Sequence, residues 1–401
     1  MSDQKFRVLV VASHPVQYAS PVFRLMAKHP NLEILVAYCS MHGVEASMDS
    51  GFGIEVKWDI PLLDGYPWVK VANQAPKPGI GRFFGLMNLS LWRRVRTGNF
   101  DAVVIYTGYS YFTFWVVAAA AKLTGVSLMF GTDAHELRPQ GCSNWKAQLK
   151  KILLPKIFGL ADIITMPSSA GEQFIRSLGI PKERIRLTPF VVDNDWWIQQ
   201  SHQVDRAVTR SQWEIPKDAN VILFCAKLHP RKRPQDVLRA FFKADIPNSY
   251  LVFAGDGVLR AELETEVRKL NLESRIRFLG FVNQSQLPAT YTSSDLFVFP
   301  SEHEPFGVVV NEAMLCGCPV VVSDRVGARY DLVDHGKTGL VYPFSDTEAL
   351  AKLLQFALPD KDYLQKLSIQ AQRRMETWSP CNNVAAIAQA IEQTTAVVSQ
   401  R

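Results

Sequence analysis

An α/β fold of two doubly wound parallel-sheet domains is the architecture this sequence predicts, and three observations carry the prediction. Short β-rich runs alternate with helical ones from end to end. Several of those runs are apolar on both faces, as strands of a parallel sheet covered by helices must be. The series also restarts near the middle of a 401-residue chain, too long for one ordinary core.

The first series of strands is RVLVVA (7–12), LEILVAYC (32–39), DAVVIY (101–106), SLMFG (127–131), DIITMP (162–167) and RIRLTPF (184–190). The second is NVILFCAKL (220–228), SYLVFAGDG (249–257), RIRFLGFV (275–282), DLFVFPS (295–301), PVVVSD (319–324) and TGLVYP (338–343). Helical runs such as VLRAELETEVRKL (258–270) and VVVNEAMLCG (308–317) lie between them. Periodicity fades over 191–216, so the expected domains are 1–195 and 217–378, joined by a polar linker at 196–216. A helix over 382–398, within a closing segment 379–401, completes the chain.

Composition narrows the function. With 47% hydrophobic and 20% charged residues the chain is globular. FRVLVVA begins at residue 6 with no signal-peptide pattern before it, so a cytoplasmic protein is expected. The apolar run FTFWVVAAAA (112–121) is too short to span a bilayer. Six cysteines lack CxxC spacing and read as reduced thiols. The net charge of +6 resides entirely in residues 1–200, partly in GRFFGLMNLSLWRRVR (81–96) and KAQLKKILLPK (146–156). Interleaved basic and apolar residues of this kind suit an anionic membrane surface, although a solvated amphipathic helix is the plainer reading. No nucleic-acid motif accompanies the charge, so no nucleic-acid partner is expected. After the first strand comes ASHPVQYASP (12–21) rather than GxGxxG, which disfavours a dinucleotide enzyme.

The most telling stretch is SEHEPFGVVVNE (301–312). Pro305 and Gly307 place Glu304 in a loop at a strand's carboxyl end, with Glu312 on the helix that follows. A carboxylate accepts two hydrogen bonds and so suits a vicinal diol, while helix-start amides suit a diphosphate. Gly307 lets the backbone approach closely. On spacing alone, a surface loop followed by a helix with one solvated glutamate is the stronger reading.

Context shifts the balance. PSEHEPFGVVVNEAMLCGCPVVVSDRVGARYDLVDHGKTGLVYP (300–343), with CAKLHPRKRPQDVLRAF (225–241), AGDGVLRAELE (254–264) and FLGFVNQSQLPATYTSSDLFVFPS (278–301), resembles the family 4 retaining glycosyltransferases of the GT-B fold. That resemblance implies two Rossmann-like domains facing across a cleft, with the last helix crossing back to the first domain. It implies a hexose transferred from a nucleotide diphosphate sugar, UDP before GDP, to a glycan or lipid-linked acceptor. Glu304 would contact the donor sugar, Glu312 the ribose, and Lys227 and Lys232 the diphosphate. Phe306, Gly307, Val308 and Phe281 join the donor-binding set. Gly255 and Asp256 would line the base or phosphate side, or simply form a tight turn.

The lysines make sense on their own, since fixed cations stabilise the charge that builds on a departing phosphate. With lysines and amides in that role no cofactor and no metal is expected; Asp193-Asn194-Asp195 imitates a metal-binding DxD but falls at the domain junction. In the first half the resemblance is looser. His14 follows the first strand and is a candidate for donor or acceptor contact, or a histidine satisfied in its loop. GTDAHELRP (131–139) supplies Asp133 and His135 as catalytic candidates, with Arg138 beside them. Helix capping is the alternative there. Retention would proceed by same-face attack, the protein contributing positioning and electrostatics. A GT-B nucleotide-sugar epimerase and a non-catalytic nucleotide-sugar-binding module are the alternatives.

Overall fold

The computed structural model describes residues 5–49, 54–137 and 144–398. Arg138 and Cys142 lie outside them. The chain divides into two compact units, one of Met1–Ala46, Pro61–Val191 and Pro380–Arg401, the other of Ser47–Ile60 and Val192–Ser379.

The first unit is built on a seven-stranded parallel sheet. Across it the strands run Trp68–Lys70, Leu32–Tyr38, Phe6–Ala12, Ala102–Ile105, Ser127–Gly131, Ile163–Met166 and Ile185–Leu187. Ala102–Ile105 is buried at every position, as its uninterrupted apolar sequence requires. The helix Phe112–Thr124 covers this sheet and stops at Gly125, whose φ of +71° closes the left-handed cap. The helix Pro380–Val398 packs on the helix Ser20–Lys28 and on the last three strands. Asn383 donates to the Pro189 carbonyl at 2.8 Å and fixes its start.

The second unit carries a six-stranded parallel sheet in the order Ile276–Gly280, Ser249–Ala254, Asn220–Cys225, Leu296–Phe299, Val320–Ser323, Leu340–Tyr342. In both sheets the chain begins centrally and reverses direction of growth once. That switch lies between Phe6–Ala12 and Ala102–Ile105 in the first, and between Asn220–Cys225 and Leu296–Phe299 in the second. Loops leaving the carboxyl ends of strands beside such a switch diverge and leave a crevice for ligands.

Two stretches differ from expectation. The polar stretch 191–216 is not a bare linker, because helices Asn194–His202 and Arg206–Gln212 form within it. Asp193 caps the first, accepting from the Trp196 amide at 3.3 Å, so the DxD imitation serves a helix start. Arg210 bolts the second down: it donates to the carbonyls of Ser293, Lys217 and Ala219 at 2.9 Å each and pairs with Asp295 at 2.8 Å. The second difference is residues 47–60, which belong to the second unit although they arise inside the first half of the sequence. They begin as an antiparallel hairpin of Ser47–Asp49 with Ile54–Val56. The five cysteines among the described residues are free thiols, four of them buried.

Candidate functional site

In the second unit, the loops on either side of the switch are 226–233 and 300–308. Lys227 is half-buried two residues beyond its strand, rather than closing it. The turn Pro230–Lys232 begins at His229, whose Nδ1 accepts from the Arg231 amide at 3.3 Å. Arg233, at φ +54°, reverses the chain into the helix Pro234–Ala244 and grips buried Asp236 through two bonds of 2.9 Å. Arg233 therefore serves the fold, and Lys232 is left to reach across the switch. Its Nζ forms an ion pair with Glu304, and each side chain is only 16% exposed. The same ammonium lies 4.9 Å from the centre of the Phe299 ring. Shielding on this scale strengthens the pair while leaving both heads reachable from the crevice.

Glu304 is held by a short ladder between two loops. Its carbonyl accepts from the Gly327 amide at 2.9 Å, and the Phe306 carbonyl accepts from Ala328 at 2.7 Å. Gly327 permits this approach, since a Cβ there would sit 2.0 Å from the Pro305 oxygen. Gly307 turns the chain at φ +100°, with Phe299, Glu304 and Val326 packed about it. Phe306 corrects the sequence expectation: its ring is 2% exposed and stacks on Trp378, 6.0 Å between centroids. Only its backbone can face a ligand. Val308 is half-buried and precedes the helix Val309–Leu315. With seven residues that helix has little macrodipole, so the lysines, more than the expected helix start, supply positive charge here.

Glu312 sits in the same helix, 5% exposed, and its Oε2 accepts from the Tyr291 hydroxyl at 3.0 Å. Burial pushes its carboxyl up to about 7, while hydrogen bonds from Tyr291 and Gln284 pull the other way. Buried Cys225 lies close by, its thiol pushed up to about 12 chiefly by burial. Gly255 and Gly257 bring the next loop against the strand-end chain. A Cβ on Gly255 would lie 2.0 Å from the Ala226 oxygen, and one on Gly257 2.6 Å from that of Leu228. Gly255 thus keeps the tight turn that sequence left open. Asp256 is engaged by Arg260 at 2.9 Å. Phe281 is half-buried beside Trp58 of the 47–60 segment, ring centroids 6.2 Å apart.

The first unit has a cavity of about 440 Å³ at its own switch point, lined by His14, Tyr106, Tyr109, Thr132, Asp133 and Phe190 among others. His14 is held neutral, its pKa lowered to about 4 by burial and then by neighbouring His42. Its Nδ1 hydrogen-bonds the Ser13 hydroxyl at 2.9 Å. Asp133 is exposed at the rim. His135 points its Nδ1 at the Asp133 carbonyl, 3.4 Å away, and does not line the cavity. Residues 132–137 form no helix, so neither Thr132 nor Asp133 caps one; the Thr132 hydroxyl instead accepts from the Ala134 amide at 3.3 Å.

Sequence reasoning missed Tyr291, Gly327 and the 57–59 contact with the 281–285 loop. No periodicity marks them, because each matters through a partner distant in sequence. The comparisons agree with the architecture. Residues 205–374 match the family described as glycosyl transferases group 1, and residues 64–190 match the glycosyl transferase 4-like domain. The chain is 33% identical over 184 residues to an uncharacterized glycosyltransferase of Methanocaldococcus jannaschii, covering 45% of this chain and 47% of that protein. It is 27% identical over 218 residues to N-acetyl-alpha-D-glucosaminyl L-malate synthase of Bacillus anthracis, covering 54% and 55%. The chain thus spans about half the length of these curated relatives. Among solved structures, HepE of Anabaena in complex with UDP superposes with a TM-score of 0.72 at 20% identity, covering 97% of this chain and 100% of that one. Sucrose-phosphate synthase of Thermosynechococcus elongatus gives a TM-score of 0.72 at 20% identity, covering 98% and 100%.

Proposed function

Because the chain belongs to the GT-B glycosyltransferases that pair a 4-like domain with a group 1 domain, we propose that it moves a hexose from a nucleotide diphosphate sugar to a hydroxyl acceptor with retention of configuration. The Lys232–Glu304 pair at the switch of the second sheet, with Glu312 buried behind it, carries this reading. An arriving donor exchanges that pair for two new ones. Lys232 turns to the diphosphate, joined by Lys227, and Glu304 accepts hydrogen bonds from the sugar. Glu312 takes the ribose diol in its ionised form, and the Tyr291 hydroxyl holds the carboxylate in place.

The reaction breaks the bond between the anomeric carbon and the β-phosphate oxygen. A new bond to the acceptor oxygen forms on the same face, and the acceptor's proton passes to the departing phosphate. Fixed ammonium groups stabilise the charge on that phosphate. UDP is the favoured carrier and GDP the next, a preference supported by the UDP complex of HepE.

The first-unit cavity is the acceptor site in this account. Among the described residues that line it, Asp133 is the one carrying formal charge, and Tyr106, Tyr109 and Thr132 add hydroxyl-bearing side chains to a wall that also includes Val16, Phe23 and Phe190. Such walls suit a polyhydroxylated, uncharged group. His14, neutral at physiological pH, is suited to exchange a hydrogen bond with that group. The helix Asn144–Phe158 leaves Trp145, Leu149 and Ile152 exposed along one stripe, among Lys150, Lys151 and Lys156. That stripe supports a second proposal, contact with an anionic membrane surface that bears a lipid-linked acceptor.

A thermal-shift panel of nucleotide sugars tests the donor reading. One donor class stabilises the parent, and Glu312→Ala loses most of that response. Equal response of both proteins to every nucleotide contradicts it.

A further inference from the structure

Residues 57–59, which follow the Ser47–Val56 hairpin, lie along the loop after the edge strand Ile276–Gly280. They do not extend the sheet. Their contacts go to side chains and amides of the loop: Asn283 donates to the Lys57 carbonyl at 2.8 Å, and the Ser285 amide donates to the Asp59 carboxylate at 3.1 Å. Between these two fastenings the Trp58 ring leans on Phe281 at an interplanar angle of 51°. Both rings remain half-buried, so neither is a core residue. The loop they share also carries Gln284, which hydrogen-bonds Glu312. Its start is tied to the glycine loop, where the Gly255 amide donates to the Gly280 carbonyl at 2.7 Å.

These links set the loop beside Glu312. A ribose gripped by Glu312 would have Gln284 beside it, so the 281–285 loop is the surface next to the place its base would occupy. There the base would meet a half-open aromatic pair, one ring of which is delivered from the other half of the sequence. We infer that the 57–59 strap completes the nucleobase pocket of the donor site, with Trp58 and Phe281 as its aromatic wall and Asp59 as the residue that positions Trp58. The inference rests on the donor-site reading above. Every base has a π-face, so such a wall contributes affinity, and its edge hydrogen-bond partners decide between bases. Asn283 and Ser285 are already occupied by the strap, which leaves the Trp58 face itself as the chief contribution of this segment.

Calorimetric titration of the full chain with UDP, GDP and inorganic pyrophosphate tests this, using the parent, Trp58→Ala, Trp58→Phe and Glu312→Ala. Pyrophosphate reads the cation site without a base. Trp58→Ala is expected to weaken the preferred nucleotide about tenfold while leaving pyrophosphate unchanged, and Trp58→Phe to stay within about twofold of the parent. Parent-like nucleotide binding by Trp58→Ala, when Glu312→Ala has lost it, overturns the strap and keeps the donor site. Equal weakening of nucleotide and pyrophosphate by Trp58→Ala also overturns it, because the ring would then support the whole site and not the base. A parent that binds neither ligand overturns the donor reading, and the strap falls with it.

Discussion

Glu312 shows how one residue can be both a liability and a tool. An acid whose folded pKa is raised to about 7 keeps its proton where the unfolded chain, near its ordinary value of 4.5, has lost it. Below that ordinary value both states are protonated and no penalty exists. Between about 4.5 and 7 the folded state binds more protons, so stability falls as pH rises, by roughly 3 kcal/mol in all. We expect urea unfolding of the parent to show that decline from pH 5 to 8, and Glu312→Gln to flatten it. An unchanged slope in the variant would assign the pH dependence to other groups. The cost is explicable if an ionised carboxylate is needed for ribose, because the diol then supplies the hydrogen bonds that water cannot. His14 runs the other way: burial holds it neutral, and the stability it contributes is lost as pH falls from about 6.5 through about 4.

At the scale of elements, the loops that set Glu304 and Lys232 are tied by backbone hydrogen bonds at positions their glycines and prolines alone would not mark. Gly327 and Gly255 are positions of close backbone approach, not hinges. The run HPRKRP divides its labour: Arg233 anchors Asp236 and frees Lys232 for Glu304. The helix Asn144–Phe158 is the opposite case, an element with an unburied apolar stripe. Exposing Trp145 at 63% and Ile152 at 61% is unfavourable unless something covers them. We expect the protein to sediment with phosphatidylserine-containing vesicles at low salt and to be released by high salt, with Trp145→Ser and Ile152→Ser reducing the bound fraction. Absence of sedimentation at low salt would leave the stripe without a membrane role.

Across the whole molecule, what the sequence made legible was what local pattern encodes. The inner strands of the second sheet, Asn220–Cys225, Ser249–Ala254, Leu296–Phe299 and Val320–Ser323, announce themselves as apolar runs because nearly every position is buried, whereas the edge strand Ile276–Gly280 is only partly buried past its first residue and carries Arg277. Trp68–Lys70 escaped notice, being three residues long at a sheet edge, as did the hairpin of Ser47–Asp49 and Ile54–Val56. The carboxylates were legible because Pro305 and Gly307 mark the kink between them. Tyr291, which holds Glu312, and the strap that reaches Phe281 were not, since both act through contacts between residues far apart in the chain. Polarity misled at 191–216, where Asp193 caps one helix and buried Arg210 anchors another within a stretch that composition read as linker. Each unit places polar side chains at its own switch point, and the proposed roles divide accordingly: donor on the second sheet, acceptor on the first.

The central claim is that Glu304 acts in the transfer step rather than in holding the nucleotide, whereas Lys232 serves both the bound diphosphate and its departure. Steady-state turnover of the preferred nucleotide sugar, measured with nucleotide affinity for the parent, Glu304→Gln and Lys232→Ala, tests it most directly. We expect kcat to fall about a hundredfold or more in each variant, with nucleotide Kd changing far less in Glu304→Gln and rising in Lys232→Ala, which also loses a diphosphate contact. Parent-like turnover in both variants would contradict it.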